Sequence, residues 1–381
     1  MNSYQCPPLD LLNRQEPSSI LEDVELKKKQ IAEVFHAYKI EVKGISVTIG
    51  PSVSLYEVEP YLGINYRKIR SIEDNISISL GNPNLRFLIP ISGKSSIGIE
   101  IPNENCITIP LGVLLSSKQF QVTTMELPCA VGKTIQNEIF MFDLVKAPHL
   151  LVAGASGQGK TACLNAIICS LLYKKTPAEL QFVLIDPKRC EFDKYIPLYD
   201  KFFAKLTIES DAIVYDSIDC LDVLESLITL MNNRYDKLKE ADARNVQEYN
   251  KRNPEEPMPY IVTVIDEFAD LMMMLGREFE SKLSHLAALS RAVGMHFVIC
   301  TQRPTTNIIS GWIKANFPAR IAFRVSLDID SLTILDHRGA ECLNGNGDML
   351  AKIDSFDPVR IQGAYIEDDE IQNVVSFIAR Q

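Results

Sequence analysis

From about Pro148 onward the chain alternates wholly apolar runs with stretches of helical period. Leu150-Leu151-Val152-Ala153 is the first run, and Leu164, Ile167, Ile168, Leu171 and Leu172 follow it at helical spacing. Phe182-Val183-Leu184-Ile185-Asp186 predicts the next buried strand. A long helix should come after it, with Leu221, Leu224, Ile228, Met231, Tyr235 and Leu238 on one face. Tyr260 to Ile265, His296 to Thr301 and Ile321 to Val325 predict further strands. Strands that alternate with helices imply a parallel sheet covered on both faces.

The preceding hundred or so residues have a different rhythm. Ile45 to Ile49, Ser54 to Val58, Ile97 to Ile101 and Cys106 to Ile109 alternate apolar and polar positions, and Gly50-Pro51 marks a turn between the first two. Pro7-Pro8-Leu9-Asp10-Leu11-Leu12 reads as an extended arm. Pro17-Ser18-Ser19 introduces a helix from about Ile20 to Tyr38, with Leu21, Val24, Ile31, Val34 and Phe35 on its apolar side. The expected division is therefore a leader and helix at 1–42, a small α+β domain at 43–145, and a larger α/β domain at 146–381.

Composition narrows the class without deciding it. With 46% hydrophobic and 23% charged residues, the chain has ample material for a packed core. No run approaches the length that crosses a bilayer, so no membrane segment is expected. The nine cysteines are odd in number and have no metal-type spacing, which favours reduced thiols and a cytoplasmic setting. Cys169 and Cys300 lie in apolar runs, where a thiol is a small hydrophobe. A net charge of −10 excludes a protein that coats nucleic acid with its whole surface, although local basic loops remain possible.

The chemistry is concentrated at strand ends. Gly154-Ala155-Ser156-Gly157-Gln158-Gly159-Lys160-Thr161 satisfies G-x-x-x-x-G-K-[ST] and lies between a strand and a helix. Glycines let backbone N–H groups close around phosphate oxygens, and the helix N-terminus adds its positive end. Lys160 is expected to reach the β- and γ-phosphates of ATP, and the Thr161 hydroxyl to ligate Mg²⁺. A buried strand ending in Asp266-Glu267 is an unusual place for two carboxylates unless a cation meets them. Asp266 would then complete the Mg²⁺ shell and Glu267 would orient or deprotonate the attacking water. The plain alternative is an acidic helix cap.

Gln302, which closes another strand, is a candidate γ-phosphate sensor, and its alternative is a turn glutamine. Arg291 near a helix end is either a dipole partner or an arginine finger for a neighbouring subunit. His296 reads as a structural histidine, and Met272-Met273-Met274 as core filling.

These segments together resemble the FtsK/SpoIIIE family of DNA translocases. The resemblance rests on Pro7-Pro8-Leu9-Asp10-Leu11-Leu12, Gly50-Pro51-Ser52-Val53, Pro148-His149-Leu150-Leu151-Val152-Ala153-Gly154 and Ile185-Asp186-Pro187-Lys188. It rests further on Ile265-Asp266-Glu267-Phe268-Ala269-Asp270-Leu271-Met272, Thr301-Gln302-Arg303-Pro304, the block from Ile313 to Phe323, and Gly347-Asp348-Met349-Leu350. It implies an α/β fold, a RecA-like P-loop NTPase core with a parallel sheet preceded by a smaller α+β domain. It also implies a homo-hexameric ring that threads double-stranded DNA at the expense of ATP. In that frame Arg291 takes the place of the trans-acting arginine, and Arg303 and Lys314 are candidate DNA contacts.

The resemblance has departures. The chain is expected to carry neither the family's membrane-spanning part nor its winged-helix unit, and Asp328 and Leu332 stand where basic residues are common. The rival readings are a protein- or single-strand-transporting ATPase of a secretion or conjugation system, and a nucleotide-gated switch with little turnover. The Asp266-to-Met272 block favours the duplex motor, and Glu267 argues against the switch.

Overall fold

The computed structural model describes residues 4–16, 23–61, 64–91, 93–206, 212–353 and 357–381. Among them, strands β1 (Val42–Ile49), β2 (Val53–Pro60), β3 (Arg86–Leu88) and β4 (Ile97–Pro102) form one antiparallel sheet in the order β1-β2-β4-β3. The helix Val24–Ala37 lays Ile31 and Phe35 onto this sheet against Tyr56, Val58, Ile97 and Ile99. Asp23 caps its first turn by accepting from the Leu26 amide. The expected start of that helix at Pro17 to Leu21 lies outside the described residues.

The second sheet contains β5 (Ile109–Pro110), β6 (Pro128–Thr134), β7 (Ile139–Asp143), β8 (His149–Ala153), β9 (Leu180–Ile185) and β10 (Ile213–Val214). It continues with β11 (Tyr260–Ile265), β12 (Met295–Thr301), β13 (Ala319–Phe323), β14 (Asp348–Lys352) and β15 (Val359–Tyr365). Its order is β10-β9-β11-β12-β8-β13-β14-β15-β6-β7, with β5 beside β15. From β10 to β13 all neighbours are parallel, and every residue of β8, β11 and β12 is buried. Burial on both faces explains why these strands read as unbroken apolar runs. From β13 to β7 the neighbours are antiparallel, an extension that the alternation of strands and helices does not announce.

That extension moves the boundary expected at 145. β6 and β7 pair into the large sheet through β15, and Cys129, Ala130 and Phe142 belong to its core. Of the strand expected over Cys106 to Ile109, only Ile109 lies in a strand, and it pairs with Ala364. Alternation marks the strands of the small sheet but carries no information about which strand pairs with which.

The leader divides in the same way. Leu9–Leu11 is a short 3-10 turn rather than extended chain, and Leu12 is buried in the core of the large sheet. The Tyr173 hydroxyl donates to Pro8 O at 3.2 Å, and the Gln5 amide donates to Gln381 at 2.7 Å. The arm is thus strapped to the large unit, whereas the helix after it belongs to the small one.

The long helix Ser217–Glu240 is rotated by about one position from expectation. Cys220, Val223, Leu224, Leu227, Met231, Arg234 and Leu238 face inward, whereas Tyr235 is exposed. Arg234 enters the buried face because its guanidinium donates to Val293 O at 2.8 Å. Apolar periodicity does not anticipate a buried arginine. Met273 and Met274, expected to fill the core, are also exposed. They precede Gly276, whose backbone (φ 57°, ψ −132°) kinks the helix Phe268–Leu289.

Candidate active site

Register places the chemistry. Ile265 on β11 lies level with Ile185 on β9 and Ile299 on β12, and Thr301 lies level with Ala153 on β8. The segments that follow these strands (Asp186, Asp266-Glu267, Gln302 and the loop from Gly154) therefore emerge along one edge. This is the carboxyl edge of the parallel strands, where open α/β sheets place their ligand sites.

The loop from Gly154 is shaped by close approach. A Cβ on Gly154 would lie 2.6 Å from Phe323 Cβ, and one on Gly159 would lie 2.8 Å from Gly347 Cα. Gly159 has φ +117°, the left-handed region that favours glycine. The helix Lys160–Leu172 begins directly after it. The Lys160 ammonium donates to Ala155 O at 2.7 Å, folding back over its own loop. Burial lowers its pKa from the ordinary lysine value. Thr161 Oγ1 donates to Glu191 Oε1 at 3.0 Å.

Glu267 occupies the N-cap position of the helix Phe268–Leu289, yet its side chain caps nothing. Oε1 instead accepts from Thr301 Oγ1 at 3.1 Å and from the Gln302 amide at 3.2 Å, while Oε2 accepts from Lys188 Nζ at 2.7 Å. The backbone is held at φ 51°, an uncommon conformation for a non-glycine residue. The acidic-cap alternative therefore does not describe this carboxylate. It is aimed across the strand ends.

Asp266 sits beside it, 6% exposed. Burial first, then the charges of Glu191, Asp186 and Glu267, push its carboxyl up to about 6. Such crowding of acids favours a cation. Among the described residues no three His, Cys, Asp or Glu side chains form a ready-made cage. Mg²⁺ needs none, because it keeps to one or two carboxylates, waters and phosphate oxygens. The hard oxygen donors of Thr161 and Asp266 fit it.

Three residues to which sequence pattern assigns no role complete the arrangement. Asp186 accepts from the amides of Lys188, Cys190, Glu191 and Phe192 at 2.8–3.3 Å, so it folds the loop that presents Lys188 and Glu191. Burial alone would lower the Lys188 pKa, but Glu267 and Asp270 raise it above the ordinary value. An aspartate closing a buried strand is the available signal for this loop.

Arg291 lies elsewhere. It is exposed in the turn before β12, at the opposite edge of the sheet. Seven residues of strand put it about 20 Å from the phosphate loop. Arg303 follows Gln302 and is exposed, with Nη1 3.1 Å from Met273 Sδ. Lys314 is half-buried and paired, its ammonium donating to Asp336 Oδ1 at 2.7 Å. His296 is fully buried with Nδ1 3.0 Å from Pro148 O, and burial lowers it to about 4, as a neutral structural ring requires.

Residues 111–306 match the FtsK/SpoIIIE family, and residues 6–103 match the FtsK alpha domain. The chain belongs to the FtsK/SpoIIIE family. Among its FtsK/SpoIIIE relatives, the DNA translocase FtsK of Chlorobaculum tepidum is 41% identical over 99% of this chain and 48% of that protein. The DNA translocase FtsK of Caldanaerobacter subterraneus subsp. tengcongensis is 42% identical over 98% of this chain and 52% of that protein. The chain thus spans about half the length of the curated relatives it matches. The solved structure of the pCW3 conjugation coupling protein TcpA with ATPγS shares the fold. Its TM-score is 0.63 at 24% identity, covering 93% of this chain and 100% of that one. The alpha-domain match ends at 103, close to the end of the four-stranded sheet and well before 145.

Proposed function

We propose that this chain is the motor of an ATP-driven translocase of double-stranded DNA, working as a homo-hexameric ring. The observation that supports the reading is the phosphate loop after β8 and Asp266-Glu267 after β11 emerging at the same sheet edge with only β12 between them, in a chain of this family. The names of its relatives supply the DNA substrate. Its nine free cysteines suit a reducing, cytoplasmic compartment.

In this reading Lys160 leaves Ala155 O for the β- and γ-phosphates of ATP, to which the helix N-terminus adds its dipole. Thr161 and Asp266 would hold Mg²⁺, which would supply positive charge against the phosphates. Thr161 must first give up Glu191. Glu267 orients or deprotonates the attacking water, its Oε1 held by Thr301 and the Gln302 amide. The same hydrogen bond, donated by the Gln302 backbone N–H, ties Gln302 to Glu267, so displacement at the γ-phosphate is transmitted into the Thr301-Gln302-Arg303 segment.

Arg291 cannot serve the phosphate loop of its own subunit across the sheet. A neighbour's loop, met edge to edge in a ring, is the site it can complete. Arg303, at the end of the strand beside Glu267, is the cation proposed to meet the DNA backbone. Lys314 would have to surrender Asp336 to do so.

The test is ATP hydrolysis measured with Mg²⁺ in the presence of duplex DNA, single-stranded DNA or neither. Duplex should stimulate turnover most. Equal stimulation by single strands, or none by any DNA, would overturn the duplex reading in favour of another transported polymer.

A further inference from the structure

Both carboxylate oxygens of Glu267 are engaged within the protein, by holds of different kinds. Thr301 Oγ1 and the Gln302 backbone N–H hold Oε1 from the end of β12, where Thr301 is fully buried. The Lys188 ammonium holds Oε2 at 2.7 Å, from a side chain that is 37% exposed against 1% for Glu267. Lys188 is therefore the cover over a buried carboxylate oxygen, and water reaches Oε2 only where the ammonium leaves it.

The backbone under this cover is pinned. Asp186 accepts from the amides of Lys188, Cys190, Glu191 and Phe192, so any exchange of partner falls to the Lys188 side chain. Asp270 Oδ2, at 3.8 Å, is a second and weaker partner. The Lys188 charge also reaches Lys160, which opens the helix after the phosphate loop. A four-carbon stem with three donors at its tip can trade one anion for another within such a space.

We propose that Lys188 gates Glu267, leaving Oε2 for the γ-phosphate of ATP and so opening that oxygen to the attacking water. The inference rests on the nucleotide reading of the phosphate loop and adds to it a residue that reads the γ-phosphate. Charge favours the exchange, since a terminal phosphoryl group carries about −1.5 to −2 and a carboxylate a single negative charge. ADP lacks that group, so with ADP the ammonium stays on Glu267 and Oε2 stays covered. A base must stand within hydrogen-bond reach of the proton it takes, and the gate grants that reach only when there is a γ-phosphate to transfer.

Equilibrium binding of ATPγS and ADP, each with Mg²⁺, to wild type, Lys188→Met, Glu267→Gln and the double variant tests this. Lys188→Met keeps much of the stem and removes the charge. It should bind ATPγS about 10-fold or more weakly and ADP as wild type does. In Glu267→Gln the ammonium has no carboxylate to leave, so ATPγS should bind more tightly than to wild type, again with ADP unchanged. The double variant should lose that gain; a gain that persists is relief of charge repulsion and overturns the gate. Equal loss of both nucleotides in Lys188→Met, or an unchanged affinity for ATPγS, also overturns it. Should Lys188→Met fold poorly, Glu267→Gln with no gain for ATPγS is enough to reject the gate. A wild-type chain that binds neither nucleotide overturns the phosphate-loop reading as well.

Discussion

Arg360 joins the two sheets: its guanidinium donates to Glu100 of β4 at 2.7 Å and to Asp348 of β14 at 2.6 and 3.1 Å. All three side chains are buried, at 1%, 1% and 0% exposure. Arg86 also donates to Glu100 at 2.9 Å, so both carboxylates are fully paired. Asp348 follows Gly347, against which Gly159 of the phosphate loop packs, so the cluster links the small sheet to the backbone beside that loop.

Removing Arg360 leaves two buried carboxylates without their main partner. Arg360→Ala should destabilise the chain by about 3–5 kcal/mol in urea unfolding. Arg360→Lys should lose less, since it keeps the charge without the bidentate geometry. Burial raises the Glu100 pKa, but Arg86 and Arg360 outweigh it and hold the carboxyl below its ordinary 4.5. Its contribution is therefore present above that value and lost as the pH falls through the lower folded pKa. A wild-type chain with unchanged stability well below pH 4 would contradict the pairing.

Asp266→Asn should separate stability from turnover. The raised Asp266 pKa, about 6 against an ordinary 3.8, means that the ionised carboxyl costs folding stability at neutral pH. The nucleotide-free variant should melt higher than wild type, by up to about 2–3 kcal/mol of added stability, while hydrolysis is lost. A variant that is both less stable and active would count against the proposed cation site.

Glu267→Gln should retain ATP and lose turnover by about 100-fold or more. Lys160→Ala should lose tight nucleotide binding itself. Nucleotide retention on a filter, set beside phosphate release, distinguishes the two. Glu267→Gln hydrolysing at the parental rate would remove the water-activating role.

Arg291→Ala and Lys160→Ala subunits, each inactive alone, should recover partial hydrolysis when mixed. Some interfaces in mixed rings then carry both groups, and an arginine finger can be worth ~10³-fold in turnover. Full activity of Arg291→Ala, or of a dilute monomer, would end the proposal of shared sites.

Arg303→Ala should weaken duplex binding and reduce the salt slope by about one for each phosphate that the arginine no longer neutralises. Lys314→Ala should act on folding instead. Asp336, whose carboxyl Lys314 and Arg320 hold down at about 2 against the effect of burial, would be deprived of one of its cations. Thermal melting alongside DNA titration assigns each residue to its effect. A Lys314→Ala variant that melts normally but fails to bind DNA would reverse the assignment.

The elements that carry local chemistry are legible in the chain alone. G-x-x-x-x-G-K-[ST] specifies its own loop, because glycine at Gly154 and Gly159 and a helix starting at Lys160 suffice to form it. β8, β9, β11 and β12 were legible because burial on both faces leaves an unbroken apolar record. The strand end at Asp266-Glu267 was legible because charge at the end of such a run is costly without a partner.

Partnership between segments comes from packing. Nothing in Ile109, β6 or β7 tells which sheet they join, since a strand's edge hydrogen bonds are sequence-blind. Lys188 and Glu191 look like ordinary loop charges until Asp186 folds their loop toward Glu267 and Thr161. Arg234, inside a helix face that apolar periodicity placed one step away, is accommodated by the carbonyl of Val293. The charges of Arg303 and Lys314 likewise could not say that one is exposed and the other already paired. Local pattern fixes which groups a segment offers; only packing of segments distant in sequence fixes which groups meet, because interaction energies depend on neighbours that periodicity does not record.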